Sequence, residues 1–404
     1  MPWKVSDVVS ERMRFVFRLL EGERMTDLCA EYEISRKTGY KLLERYRTQG
    51  VAGLFDCSRR PHQMPRQTSE EMRKLVLQAR QGHPTWGPRK LRIWLGDKHP
   101  GVRVPSNTTI GVILARAGVV VSRKRRRRVT PYSQQLRPAE RPNAVWCADY
   151  KGQFRLGNGQ YCYPLTVSDR FSRYVLAIEG FEAIDGGTAR AVFEKLFADH
   201  GLPDAIRTDN GAPFASQGLF GLSRLSAWWL KLGIVPERIA PAHPQQNGQH
   251  ERMHRTLKAE TTRPAASNLL KQQERFVAWI EGFNHERPHE ALGQRRPAQL
   301  YNSSSRSLRD ASGRLEYPLH DQTRPVSPSG HIRVLSGRRH SAVFISAALA
   351  GERVGLRELD DGRWLVSYAT IDLGCYDPAQ ERFVPADRPL SPVGRPTLSP
   401  MSPV

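Results

Sequence analysis

The chain has 404 residues, 39% of them hydrophobic, with a mean hydropathy of −0.55 and no apolar run long enough to span a bilayer. Its five cysteines (Cys29, Cys57, Cys147, Cys162, Cys375) stand singly without a C-x-x-C pair, which argues against a disulfide framework and a cysteine zinc site. The net charge of +22 is concentrated: residues 1–141 hold 30 Lys/Arg against 13 Asp/Glu, so they carry +17 and leave +5 for the other 263 residues, and a polyanion such as nucleic acid is the expected partner.

In chain order, residues 7–50 read as three helices. Val16, Leu19 and Leu20 give an apolar stripe at helical spacing, and Thr26 to Tyr32 a short second helix. Ser35 is placed to cap a third helix from Arg36 to Arg47. A short helix, a tight turn and a helix opening on Arg36-Lys37-Thr38 match the helix-turn-helix pattern, with Arg36, Lys37, Lys41 and Arg45 as its DNA-facing cations. The first domain is therefore 1–55, and 56–68 reads as a linker. A second, divergent helix-turn-helix follows over 69–122, with helices at roughly 69–81, 87–96 and 106–117. Residues 123–142 form a basic linker. Its run Arg123-Lys124-Arg125-Arg126-Arg127-Arg128 is expected to track DNA phosphates, with binding that weakens steeply in salt.

From 143 the pattern turns to strands. Val145 to Tyr150 is apolar apart from Asp149, Asn158-Gly159 is a hairpin turn, and Tyr161 to Val167 and Tyr174 to Ile178 are the next strands. A helix over 188–200 precedes the short strand Ala205 to Thr208, which ends at Asp209-Asn210-Gly211, and helices follow at 219–232, 248–263 and 268–284. This is an α/β domain over 143–301. Residues 302–330 read as a linker from their Ser, Arg, Pro and Gly content, and short β segments over 331–387 suggest a small all-β barrel of SH3-like type. The tail 388–404 reads as disordered. The N-terminus lacks the apolar core of a signal peptide, so the cytoplasm, in association with the nucleoid, is the expected location.

One glutamate can serve two chemistries. His250-Glu251-x-x-His254 matches the zinc-protease pattern, in which two histidines on one helix hold zinc and the glutamate is the base; His285 or His289 could be a third ligand. Alternatively, Glu251 joins Asp149 and Asp209 as three carboxylates, hard oxygen donors that favour Mg²⁺ or Mn²⁺. Two such ions, about 4 Å apart, stabilise both the attacking and the leaving oxygens of a displacement at phosphorus. On the helix that carries it, Glu251, Arg255 and Lys258 share one face, while Met253 and Leu257 can pack on the sheet. Spacing alone leaves rivals, since Asp169, Asp185 and Asp204 could each complete a triad. A third reading is a DNA-binding regulator without catalysis, which would be expected to carry a damaged triad.

Three motifs in order, Trp146-x-x-Asp149-Tyr150, Arg207-Thr208-Asp209-Asn210-Gly211-x-x-Phe214, and His243-Pro244-x-x-Asn247-Gly248-x-x-Glu251-Arg252-x-His254-Arg255-Thr256-Leu257-Lys258, closely resemble the DDE transposases of bacterial insertion sequences, which share the integrase catalytic core of retroviruses. The helix-turn-helix modules and Asn284-x-x-Arg287-Pro288-His289-x-x-Leu292 extend the likeness over nearly the whole chain. The resemblance implies an RNase H-like core and a transposase that cleaves DNA at the element's terminal repeats and joins the 3′-hydroxyl ends to target DNA. It also implies two Mg²⁺ or Mn²⁺ ions held by Asp149, Asp209 and Glu251, Lys258 on donor DNA, and a homo-oligomer, dimeric or larger, that pairs two ends. Two departures stand out. The 41 residues between Asp209 and Glu251 exceed the retroviral spacing, with Gly218 to Leu225 as the apparent insertion and Trp228-Trp229 expected in the core. The retroviral zinc-binding N-terminal domain is absent.

Overall fold

The computed structural model describes residues 7–56, 67–120, 136–150, 152–240, 244–311, 313, 315–336 and 339–386. The run Arg125 to Arg128, His243 and the 388–404 tail lie outside the described residues. The chain divides into two compact units, Met1–Thr68 and Ser69–Val404. No helix among the described residues is long and apolar enough to cross a membrane.

The first unit holds α1 (Val8–Leu20), α2 (Met25–Glu31) and α3 (Arg36–Gln49) around a core of Phe15, Val16, Leu28, Leu42, Leu43 and Leu54. Ser35 caps α3 by accepting from Thr38 N at 3.2 Å. Gly39 lets α2 and α3 approach closely, because a Cβ there would lie 2.6 Å from Met25 Sδ and 2.9 Å from Cys29 Sγ. Arg36, Lys37 and Lys41 are exposed on α3 beside exposed Tyr40. Arg45 differs from them: it is half-buried, and its guanidinium donates to Phe55 O, which ties α3 to the turn that follows.

The second unit opens with α4 (Glu70–Gly82), α5 (Pro88–Lys98) and α6 (Asn107–Arg116). Ser69 and Ser106 cap α4 and α6 through the Met72 and Thr109 amides. This module docks on the following α/β domain through Arg89–Glu290 at 2.6 Å, Lys98–Glu286 at 3.6 Å, Arg296–Asp97 and Thr85–Glu260.

The α/β domain is a sheet ordered β4-β3-β1-β5-β6, built from β1 (Val145–Tyr150), β3 (Tyr161–Asp169), β4 (Val175–Phe181), β5 (Ala205–Thr208) and β6 (Val235–Arg238), with β2 (Phe154–Arg155) forming a hairpin with β3. The pairs β1–β5 and β5–β6 are parallel, whereas β3 runs antiparallel to both β1 and β4. Helices α7 (Gly186–His200) and α8 (Arg224–Lys231) cover one face, where Phe193, Phe197, Trp228 and Trp229 pack on Trp146, Ala148, Leu165 and Val167. Helices α9 (Gly248–Thr261) and α10 (Leu269–Glu281) cover the other with Met253, Leu257, Phe276 and Trp279. Side chains alternate along a strand, so Asp149, Thr166 and Ser168 fall on the α9 face.

β6 was not anticipated from the sequence. It contains Pro236, and its charged Glu237 is buried only because Arg207 on β5 pairs with it at 2.5 Å. The same pair holds the incoming chain, since Arg137 N donates to Glu237 at 2.8 Å and Arg207 donates to Arg137 O at 2.9 Å.

Residues 302–330, linker-like in composition, make specific contacts. Arg306 donates to the carbonyls of Pro203, Leu232 and Gly233. A short helix α11 (Leu308–Ala311) follows, and β7 (Gln322–Pro325) belongs to the C-terminal sheet. That sheet is ordered β13-β12-β11-β10-β7, with β10 (Arg353–Glu358), β11 (Trp364–Tyr368), β12 (Ile371–Asp377) and β13 (Arg382–Pro385). The hairpin of β8 (His331–Ser336) and β9 (Arg339–Phe344) shares its core. The stretch from Leu219 into α8 is the seat for this region: Leu222, Ala227 and Leu230 join Val354, Val366 and Tyr368 in one apolar cluster, with Leu219 and Phe220 against it. Lys231 pairs with Glu352 at 2.9 Å, and Tyr368 Oη donates to Ala227 O at 3.2 Å.

Candidate active site

The parallel register of β1 on β5 runs from Val145↔Ala205 to Cys147↔Arg207. Asp149 stands two residues beyond the last of these pairs on β1, and Asp209 immediately follows the carboxyl end of β5, the end of an open α/β sheet where ligands bind. Asp209 is steadied by Gly211 N, which donates to its Oδ1 at 3.1 Å. The sheet places Asp149 at a half-buried rim position, its side chain 22% exposed.

Helix α9 carries the third candidate carboxylate, Glu251. Its inner side (His250, Met253, His254, Leu257, Thr261) is buried, and Glu251, Arg252, Arg255 and Lys258 are exposed. The inner side meets the polar positions of the sheet. The Nε2 atoms of His250 and His254 lie 2.7 and 2.6 Å from Thr166 Oγ1, and His250 Nδ1 lies 2.9 Å from Ser168 Oγ. His254 Nδ1 lies 3.6 Å from Asp149 Oδ2. Glu251 lies one turn before His254 on the same helix and is exposed. The three carboxylates do not form a group with ligand atoms all within 4.8 Å of one another; among the described residues the group that does is Asp149, His250 and His254.

That group is a poor zinc centre. Both ring nitrogens of His250 are occupied by hydrogen bonds to Thr166 and Ser168. The histidines, which the sequence pattern offers as zinc ligands, are internal struts between α9 and β3. The rival aspartates are also committed elsewhere. Asp169 is buried and accepts from Asn143 N at 2.8 Å and from Ser172 N and Oγ at 2.7 and 2.6 Å. Asp185 caps α7 through Thr188 N at 2.9 Å, and Asp204 pairs with Arg141 at 2.6 Å.

Behind α9 lies the Asn284 to Leu292 motif. Asn284 accepts from Val175 N and donates to Val175 O, both at 2.9 Å, so it closes the edge of β4. Arg287 donates to Glu260 of α9 at 3.0 Å, and Trp279 Nε1 donates to the same carboxylate at 2.5 Å. The motif therefore braces the helix that bears Glu251. Thr166 and Ser168 were missed as site residues, although two polar positions at i, i+2 in an apolar strand were a readable signal.

Family models match four stretches of the chain. Two described as integrase core domain match residues 139–244 and 232–297, one described as homeodomain-like domain matches 38–114, and one described as helix-turn-helix domain matches 11–62. An uncharacterized protein of insertion element IS136 from Agrobacterium fabrum is 30% identical over 174 residues, which are 41% of this chain and 86% of that protein. The chain belongs to the integrase-core transposases of bacterial insertion elements. An uncharacterized 39.2 kDa protein of insertion element IS476 from Xanthomonas euvesicatoria is 27% identical over 284 residues, covering 70% of this chain and 79% of that protein. Among solved structures, the HTLV-2 integrase catalytic core domain in complex with magnesium covers 41% of this chain and 100% of its own, with 16% identity and a TM-score of 0.33. The chain is a DDE-type polynucleotidyl transferase with helix-turn-helix DNA-binding modules.

Proposed function

We propose that this transposase binds the terminal repeats of its element, cleaves the DNA there and joins the freed 3′-hydroxyl ends to target DNA, with Asp149, Asp209 and Glu251 as the catalytic carboxylates. The observation that supports this reading is the parallel register of β1 on β5, whose last pair lies two residues before both Asp149 and Asp209, together with the approach of His254 on α9 to Asp149. The donor set fits hard cations: the carboxylates offer oxygen, and the nearby Cys147 and Cys162 thiols are buried and pushed toward the protonated form by that burial. Asp149, Asp209 and Glu251 would hold two Mg²⁺ or Mn²⁺ ions. When bound, the ions would supply an activated water and stabilise the attacking and leaving oxygens.

In the first step, water oxygen bonds to phosphorus, the bond from phosphorus to the 3′-oxygen breaks, and that oxygen leaves as a hydroxyl. In the second step, the freed hydroxyl attacks a target phosphodiester and displaces the target's 3′-oxygen, so bonds balance without a redox partner. Arg255 and Lys258, exposed on the face of Glu251, are placed to hold phosphates of the donor strand. Arg36, Lys37 and Lys41 of α3 would read or grip the repeats, with Arg125, Arg126, Arg127 and Arg128 along the backbone. Arg45 is better read as a tie within its module. The C-terminal sheets are read as a small SH3-like barrel, and pairing of two ends calls for a homo-oligomer in the cytoplasm, at the nucleoid.

The test is strand transfer on DNA carrying the element's ends, in Mg²⁺ and in Mn²⁺, with wild type and Asp209→Asn. Wild type is expected to nick and join, and the variant to bind ends without either. Joining by Asp209→Asn at the wild-type rate sinks the assignment. A wild type that binds ends and never joins them in either metal favours a DNA-binding regulator.

A further inference from the structure

The exposed face of α3 is not uniformly basic. The helix holds five Lys/Arg and a single acid, Glu44. Gly39, Leu42 and Leu43 turn into the core of the module, and Arg36, Lys37, Tyr40, Lys41, Glu44 and Arg47 are exposed. With about 3.6 residues per turn, Tyr40 and Glu44 run along the middle of that face, one turn apart. Arg36 and Arg47 lie toward one margin, and Lys37 and Lys41 toward the other. Tyr40 is 60% exposed, and among the described residues neither Tyr40 nor Glu44 has a hydrogen-bond, ion-pair or ring partner for its side chain.

The two kinds of residue can do different things on DNA. A lysine or arginine finds a partner in any phosphate, so it grips every sequence alike. A carboxylate is repelled by every phosphate. In the major groove it also meets acceptors on guanine, on thymine O4 and on adenine N7, and its matching partner is the N4 amino group of cytosine. A tyrosine ring gains nothing from phosphate charge, and its apolar surface matches the C5-methyl group of thymine. Both side chains therefore favour DNA only where the right base edge faces them.

We propose that Tyr40 and Glu44 are the specificity-determining pair of α3: in the major groove of the element's ends, the Tyr40 ring packs on a thymine methyl and the Glu44 carboxylate accepts from a cytosine amino group. One helical turn is about 6 Å along the axis, so the two base pairs lie within about two steps of each other. The flanking cations grip the backbone on either side. The proposal rests on the reading of α3 as a helix that binds the ends.

The test is fluorescence anisotropy of the full-length chain on a duplex carrying the element's end and on a random duplex of equal length, over a range of salt. Single base-pair substitutions across the end are then compared in wild type, Tyr40→Ala, Tyr40→Phe, Glu44→Gln and Lys41→Ala. Tyr40→Ala is expected to weaken end binding about tenfold with random DNA unchanged, and to lose a preference for T·A at one position. Tyr40→Phe should keep that preference. Glu44→Gln is expected to lower the ratio of end to random binding about tenfold and to lose a preference for C·G, while random DNA binds several-fold tighter as the repulsion goes. Lys41→Ala should weaken both duplexes alike and flatten the salt slope by about one. All four side-chain changes are on the surface, so thermal midpoints should stay near wild type.

An unchanged end-to-random ratio in Tyr40→Ala or in Glu44→Gln overturns the proposal, as does equal weakening on both duplexes. In those cases discrimination and joining by wild type leave the transposase reading standing. A wild type that treats the two duplexes alike overturns the proposal, and overturns that reading as well if it never joins DNA.

Discussion

The two sides of α9 show how one helix can be divided between chemistry and architecture. Its outer side carries Glu251, Arg252, Arg255 and Lys258 in solvent, and its inner side carries His250, Met253, His254, Leu257 and Thr261 out of it. The outer residues have freedom to move onto a ligand. The inner residues are held by Thr166, Ser168 and an apolar cluster that includes Phe276 and Trp279. Substrate, metal and salt should therefore act through the outer side, and stability and acid sensitivity through the inner.

The sharpest break of that contrast is Glu251→Gln. Loss of one ion-holding carboxylate is expected to lower joining about a thousandfold, equivalent to about 4 kcal/mol of transition-state stabilisation. End binding and thermal midpoint should be unchanged, as gel-shift and melting measurements would show. A matched fall in stability would mean that Glu251 belongs to the inner side after all. The reverse pattern is expected of Leu257→Ala. Leu257 is 1% exposed within the cluster behind α9, so truncation should cost about 3 kcal/mol in urea unfolding. Joining per folded molecule should persist.

Acid separates the sides further. His250 stays neutral in the fold because burial holds its pKa near 3, while in the unfolded chain it titrates near 6.5. Below about pH 6.5 the unfolded chain takes up a proton that the folded chain refuses, so stability falls as pH drops toward 3, by about 1.4 kcal/mol per pH unit from this residue. Above pH 6.5 it adds no pH dependence. Urea midpoints of wild type and His250→Gln at pH 7 and pH 5 measure this, and equal pH sensitivity in the two contradicts it. The mildest effect belongs to Lys258→Ala. One phosphate contact fewer should weaken end binding several-fold and flatten the salt dependence by about one unit in the logarithmic slope. An unchanged slope would place donor DNA away from this face.

Local signals made much of the fold readable. Caps at Ser35, Ser69 and Ser106, the Asn158-Gly159 turn and the single Asp149 in an apolar strand are decided by neighbours a few residues away. The candidate carboxylates were legible through ordered motifs, and the split of α9 through its period. What escaped depends on partners far along the chain. β6 needs Arg207 across the sheet to bury Glu237, and β7 was hidden in linker-like composition because its partner β10 begins 28 residues later. The histidine struts were open to a zinc reading because their meaning lies in the facing register of β3, 84 and 88 residues upstream at Thr166.

The seat of the C-terminal sheet on α8 and the loop before it has a consequence for biosynthesis. Tyr368 and Ala227 are 141 residues apart. At a translation rate of about 5–20 residues per second, the apolar surface of Leu222, Ala227 and Leu230 leaves the ribosome on the order of ten seconds before its cover exists. Through that interval the nascent catalytic domain displays a sticky face beside its own unfinished edge. Chains that stop short of the C-terminal strands should accumulate in the insoluble fraction, even though Asp149, Asp209 and Glu251 have already been made.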